Sequence, residues 1–214
     1  MTIRPASDRS LLVTFGAGIS LESHHQVCHL TRSLGGVRGI LNLHPAYASL
    51  LVEFDPRLVE SGAIEALIHR KMAEERNHVP EASRTVEIPV RYGGEFGPDL
   101  DDVATHTGLS AERVVELHCS VDYLVYFLGF APGFAYLGGL PEELATPRIS
   151  APRTHVPAGS VAIGGNQTGV YPIVSPGGWR LIGRTEVKLF DPGAAEPVLL
   201  RMGDHLRFAA VVLA

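Results

Sequence analysis

The chain has 214 residues, 45% of them hydrophobic and 19% charged, with a formal net charge of −5. That much apolar material builds real cores and excludes a disordered chain, and the length suits one large or two small domains. The mild acidity argues against a phosphate-backbone binder, so no nucleic-acid partner is expected. Two cysteines, Cys28 and Cys119, are too few for a disulfide framework and fit a reducing compartment, the cytoplasm.

In chain order, residues 1–83 read as a split βαβ, ferredoxin-like α/β domain. Ser10–Phe15 is a short strand ended by Gly16. Ser20 is placed to cap a helix running through Leu34, where Gly35-Gly36 ends it. Strands follow at Val37–Leu43 and Ser49–Phe54 around a turn at His44-Pro45. A second helix spans Leu58–Met72, with Ile64, Leu67, Ile68 and Met72 at helical spacing. Glu74–Ser83 reads as a linker.

Residues 84–214 read as a second domain, rich in strands and turns. Val86, Ile88 and Val90 share one face of a strand at Arg84–Val90, which could close the first domain but better opens the second. A helix beginning at Pro98 or Asp99 stops at Gly108, and Ser110 caps another that ends near His118. Tyr123–Pro141 carries no charge, but its glycines and prolines argue for a buried strand entering a loop rather than a membrane span. No membrane association and no secretory signal are expected. The remaining short strands and Gly/Pro turns suggest a closed or nearly closed β structure.

The sequence holds no GxxxxGK[ST], no CxxC and no HExxH. His24, His25, Cys28 and His29 have helical metal-ligand spacing in two divergent pairs, which reads better as a solvated helix face than as a metal site. Arg148 and Arg153 stand in a loop stiffened by Pro147, Pro152 and Pro157, and guanidinium forks match carboxylate or phosphate oxygens. They are candidate anion clamps, unless they pair with Glu142 or Glu143. Gly164, Gly165, Asn166, Gln167 and Thr168 form a turn rich in hydrogen-bonding groups, either a ligand loop or a tight hairpin. Tyr171 and Trp179 flank a further Gly/Pro turn, and the indole either stacks on a ligand or plugs a barrel end. His118 reads as a proton handler or as a capped structural histidine. These features alone describe a two-domain α+β protein with a polar, arginine-lined pocket for a small anion.

The run GFAPGFAYLGGL, the two PR dipeptides, VPAGSVAIGGNQTGVYP, SPGGW and LIGRT together resemble the PxpB/KipI family, also called allophanate hydrolase subunit 1. The resemblance implies a cyclophilin-like β-barrel over residues 84–214. It also implies a subunit of an ATP-hydrolysing 5-oxoprolinase that opens the lactam 5-oxoproline to L-glutamate and is inactive alone. The implied partners are a PxpC (KipA-like) barrel subunit and a PxpA (LamB/YcsF-like) subunit, with ATP as co-substrate, with or without Mg. Other members of that family inhibit a sensor histidine kinase or belong to allophanate- and urea-processing enzymes. On this reading Arg148 or Arg153 clamps a carboxylate or phosphate, and Gly164 and Gly165 steady developing charge. His118 or Tyr136 moves protons, and Asn166, Gln167, Thr168, Tyr171 and Trp179 contact substrate.

Overall fold

A computed structural model describes residues 1–74 and 84–211, and the chain divides into two compact units, Met1–Ala82 and Ser83–Ala214. The first unit is a four-stranded antiparallel sheet with two helices. In chain order these are β1 (Thr2–Ser7), β2 (Ser10–Thr14), α1 (Leu21–Leu34), β3 (Ile40–Pro45), β4 (Ser49–Phe54) and α2 (Ser61–Ala73). The strand order is β1-β2-β4-β3. Period-two alternation puts Leu11 and Val13 of β2 and Leu50, Val52 and Phe54 of β4 on the face that packs Leu30 and Leu34 of α1 and Ile64 and Ile68 of α2. Each such side chain contributes roughly 1.5–3 kcal/mol by leaving water. Ser20 caps α1, its hydroxyl accepting from Ser23 N–H at 3.1 Å.

Two sequence expectations change here. The β3–β4 turn falls at residues 46–48, because Pro45 still pairs with Leu50 as the last residue of β3. The sheet edge beside β2 is filled by β1, a hairpin strand that sequence reading missed because only Ile3 gives it an apolar signal. Most of the expected linker lies outside the described residues.

The second unit is built on a seven-stranded, nearly closed sheet. Its strands are β5 (Thr85–Tyr92), β6 (Asp122–Leu128), β7 (Ala135–Gly138), β9 (Ser160–Gly164), β10 (Gln167–Val170), β12 (Arg180–Arg184) and β13 (His205–Ala210), in the order β10-β9-β12-β5-β13-β6-β7. The edge strands β7 and β10 lie against each other and bring the sheet round towards a barrel. β5 and β13 are parallel, and the other pairs are antiparallel. Two helices, α3 (Leu100–Thr107) and α4 (Ala111–Cys119), pack on this unit, and a two-stranded ribbon pairs β8 (Arg153–Val156) with β11 (Ser175–Gly177).

The strands β9, β10 and β12 present apolar groups on both faces. Val161, Ile163, Val170 and Ile182 point into the barrel core, whereas Ala162, Leu181 and the following Tyr171 belong to a separate aromatic cluster outside it. This double burial explains why β9 carries five buried residues in succession. It also creates the floor of the site described next.

Candidate functional site

The outer aromatic cluster forms a cup of about 140 Å³ lined by Phe130, Phe134, Tyr136, Arg148, Tyr171, Pro176, Gly177, Gly178 and Trp179. Phe134 is the hub. Its ring meets Tyr136 at 5.1 Å, Tyr171 at 5.8 Å and Trp179 at 5.7 Å, each edge-on. Such tilted pairs match the ring quadrupoles better than face-to-face stacking. Tyr136 is held from behind by Phe127, stacked at 4.5 Å. The Trp179 indole lies directly against Gly164, where an added Cβ would come within 2.5 Å of the ring. Gly164 therefore makes room for the indole, and Trp179 forms part of the cup rather than a plug in the barrel.

Arg148 stands exposed at the rim, its guanidinium carbon 5.9 Å from the Trp179 ring centroid, within cation–π range. No carboxylate pairs with it among the described residues, so the expected alternative partners Glu142 and Glu143 do not neutralise it. Arg153 behaves differently. It donates to Asp99 Oδ1 at 2.7 Å, while Asp99 Oδ2 accepts from Leu181 N–H at 2.7 Å. This buried carboxylate ties the start of α3 to β12 and to the β8–β11 ribbon. Arg153 is thus a fastening of the scaffold, and it does not line the cup.

The remaining sequence candidates are not brought to the cup. Gly165 and Asn166 are the two central residues of a hairpin between β9 and β10. Gly165 has φ +67° and Asn166 stays on the negative side, the pattern of a type II′ turn. Gly165 N–H donates to Thr146 O at 2.8 Å, so it has no free donor for a developing anion. Asn166 is exposed, Gln167 is half-buried, and neither lines the cup.

His118 and Thr168 lie inside the barrel. The Thr168 hydroxyl donates to Ala162 O at 3.0 Å, so at 2.8 Å it accepts from His118 Nε2–H. His118 Nδ1 then accepts from the Tyr92 hydroxyl at 2.8 Å. Phe208 stacks on the imidazole with centroids 4.5 Å apart. The ring is fully buried, and desolvation pushes its pKa down to about 3. A neutral histidine with both nitrogens engaged and no water access is a core polar bridge. The capped structural alternative describes it, and the proton-handling one does not.

Sequence reasoning missed Phe130, Phe134, Pro176, Gly177 and Gly178 as wall residues. All five lie within the GFAPGFAYLGGL and SPGGW blocks. Phe130 is the most unusual of them. Its φ is +66°, and Ala131 N–H donates to Gly129 O at 2.7 Å, which together make a γ-turn. A bulky residue there carries roughly 1–3 kcal/mol of backbone strain.

A family model described as "Carboxyltransferase domain, subdomain C and D" matches residues 1–200. The B-type 5-oxoprolinase subunit of Escherichia coli O157:H7 is 50% identical over 191 residues, covering 89% of this chain and 87% of the relative. Its counterpart of the same name in Bacillus subtilis (strain 168) is 41% identical over 222 residues, covering 98% and 92%. The chain belongs to the PxpB family. Among solved structures of similar chains, TTHA0988 superposes with a TM-score of 0.85 at 41% identity, over 96% of this chain. This chain spans only 40% of that longer one. Kluyveromyces lactis urea carboxylase shares the fold, with a TM-score of 0.76 at 22% identity over 98% of this chain and 22% of the other. In this chain the cup is assembled largely from the glycine-rich GFAPGFAYLGGL and SPGGW blocks. Among the described residues, no helix is long and apolar enough to cross a membrane, and no cluster of three or more metal-ligating side chains occurs. His24 and Cys28 contact each other at 3.3 Å inside the first unit, while His29 Nε2 turns to Lys71 O at 2.9 Å.

Proposed function

We propose that this chain is the B-type component of an ATP-dependent 5-oxoprolinase and that its aromatic cup binds 5-oxoproline. The observation that carries this reading is Arg148, a guanidinium without a carboxylate partner at the mouth of a cup walled by aromatic rings. 5-Oxoproline is a five-membered lactam, flattened along its amide and bearing one carboxylate. The rings of Phe134, Tyr171 and Trp179 would cover one of its faces, and Arg148 would take the carboxylate as a bidentate, charge-assisted pair. A hydrogen bond of that kind contributes roughly 1.5–3 kcal/mol.

Opening the lactam requires loss of amide resonance, and ATP supplies the phosphoryl group that turns the amide oxygen into a leaving group. The residues here do not fit the nucleotide. The cup of about 140 Å³ has the size of a small ring, and its glycines do not form a phosphate-cradling loop before a helix. The nucleotide, its Mg and the attacking groups are therefore assigned to PxpC-like and PxpA-like partners. This chain binds, orients and dries the lactam. Tyr136, whose ring lines the cup, would be the group that moves a proton. Burial raises the pKa of Tyr171 and keeps its hydroxyl a donor.

Trp179 is the only tryptophan of the chain and lines the cup, so its fluorescence reports binding directly. Titration of the purified chain with 5-oxoproline should change that emission saturably. Reconstitution with the two partners should give ATP-dependent glutamate formation that the chain alone lacks. A silent titration together with no turnover in the complex would rule the reading out. The fold shared with urea carboxylase supports a second reading, an amide substrate without a carboxylate, and binding of urea in preference to 5-oxoproline would favour it.

A further inference from the structure

We infer that Phe130 is the specificity wall of the cup, a ring held out at the rim to cover the exposed face of a planar carboxylate ligand. The inference rests on the proposal that the cup binds 5-oxoproline and adds the residue that would select a flat ring. Phe130 is 61% exposed, the highest value among the exposed large hydrophobics of the described residues. Among the other rings of the cup, Phe134 and Tyr171 at 3% and Trp179 at 6% are nearly sealed, and Tyr136 is half-buried. Phe130 meets Phe134 at 5.4 Å and Tyr171 at 6.4 Å with the rings nearly perpendicular, and most of its surface stays in water beside these contacts.

Phe130 is also the only non-glycine residue with positive φ among the described residues. Glycine adopts that conformation without strain, and phenylalanine does not. An aromatic side chain buried in a core would offset the strain by leaving water. One left mostly in solvent recovers little of it, so the fold gains little from carrying phenylalanine at this position. The γ-turn aims the ring at the cup, where a ligand seated on Trp179 and Tyr171 would have one face still open to water. A lactam, flattened along its amide, would fit between the rings better than the fully saturated, more puckered ring of L-proline.

The experiment compares wild-type chain with Phe130→Gly and Phe130→Leu. The readings are Trp179 emission and calorimetry with 5-oxoproline and with L-proline, thermal melting, and assembly with the partner subunits. Phe130→Gly should weaken 5-oxoproline binding about tenfold, with the preference over L-proline reduced, as expected for loss of one aromatic contact. Its melting temperature should equal or exceed that of wild type, because the strain is gone. Phe130→Leu should fall between in affinity. Wild-type binding with unchanged affinity in Phe130→Gly would overturn this inference alone. So would normal affinity with lost assembly, which would make Phe130 a partner contact, or a lowered melting temperature, which would make it structural. A wild-type chain that binds no 5-oxoproline would overturn the inference together with the proposed function.

Discussion

The two faces of strands β9, β10 and β12 make opposite use of polar chemistry. On the inner face His118 is fully buried between Tyr92 and Thr168, and every polar atom of that bridge has a partner. On the outer face Arg148 rests on Trp179 and has no carboxylate opposite it among the described residues. The inner face carries the large pKa shift, and the outer face carries the unmet charge. A perturbed histidine therefore marks the core of this unit, and the proposed binding site lies where a cation lacks its anion.

The largest expected effect tests the inner face. His118→Ala should destabilise the second unit by about 3–4 kcal/mol, since it leaves a cavity beside Phe208 and strips partners from Tyr92 and Thr168. Denaturant unfolding measures this, and a loss below about 1 kcal/mol would break the contrast between the faces. Arg148→Ala should do the reverse. It should weaken 5-oxoproline binding by roughly 30- to 100-fold in the Trp179 titration while shifting stability by less than about 0.5 kcal/mol. Equal affinity in this variant would remove the anion site.

The pH dependence sharpens the comparison. The folded pKa of His118, about 3, lies below its ordinary value of 6.5. Between those values the unfolded chain binds the extra proton, so stability rises with pH across the window. The His118 contribution is complete above pH 6.5 and is lost progressively on acidification towards pH 3, with a slope approaching about 1.4 kcal/mol per pH unit. Unfolding measured from pH 7 to pH 4 should show this slope, and His118→Gln should flatten it. The smallest effect belongs to the hairpin. Gly165→Ala should cost about 1 kcal/mol through its positive φ and leave ligand affinity unchanged, because that turn does not line the cup.

Much of this molecule was legible because local physics dictated it. The Ser20 and Ser110 caps are both used, with Ser110 accepting from Arg113 N–H at 3.2 Å. Gly108 stops α3 in the left-handed conformation at φ +71°. The alternation of Val86, Ile88 and Val90 marked β5 correctly, and its uncertain allegiance was decided by β13, with which it pairs residue for residue in parallel. Strand β1 stayed hidden because five of its six residues are exposed and give no periodic signal. In the cup, Tyr136, Arg148, Tyr171 and Trp179 were named from the sequence and are brought together. Arg153, His118 and Thr168 lie outside it, for reasons no residue pattern contains.

The sequence by itself determined the elements, the turns and the chemical types available to a site, since caps, glycine conformations and period-two alternation act over a few residues. Only the tertiary structure decided which groups remain available. Asp99 lies 54 residues before Arg153, and Thr168 lies 50 residues after His118, yet each meets its partner within 2.8 Å. Whether a guanidinium or an imidazole is spent inside the scaffold or left for a ligand depends on partners that the chain delivers from a distance, through sheet order and closure.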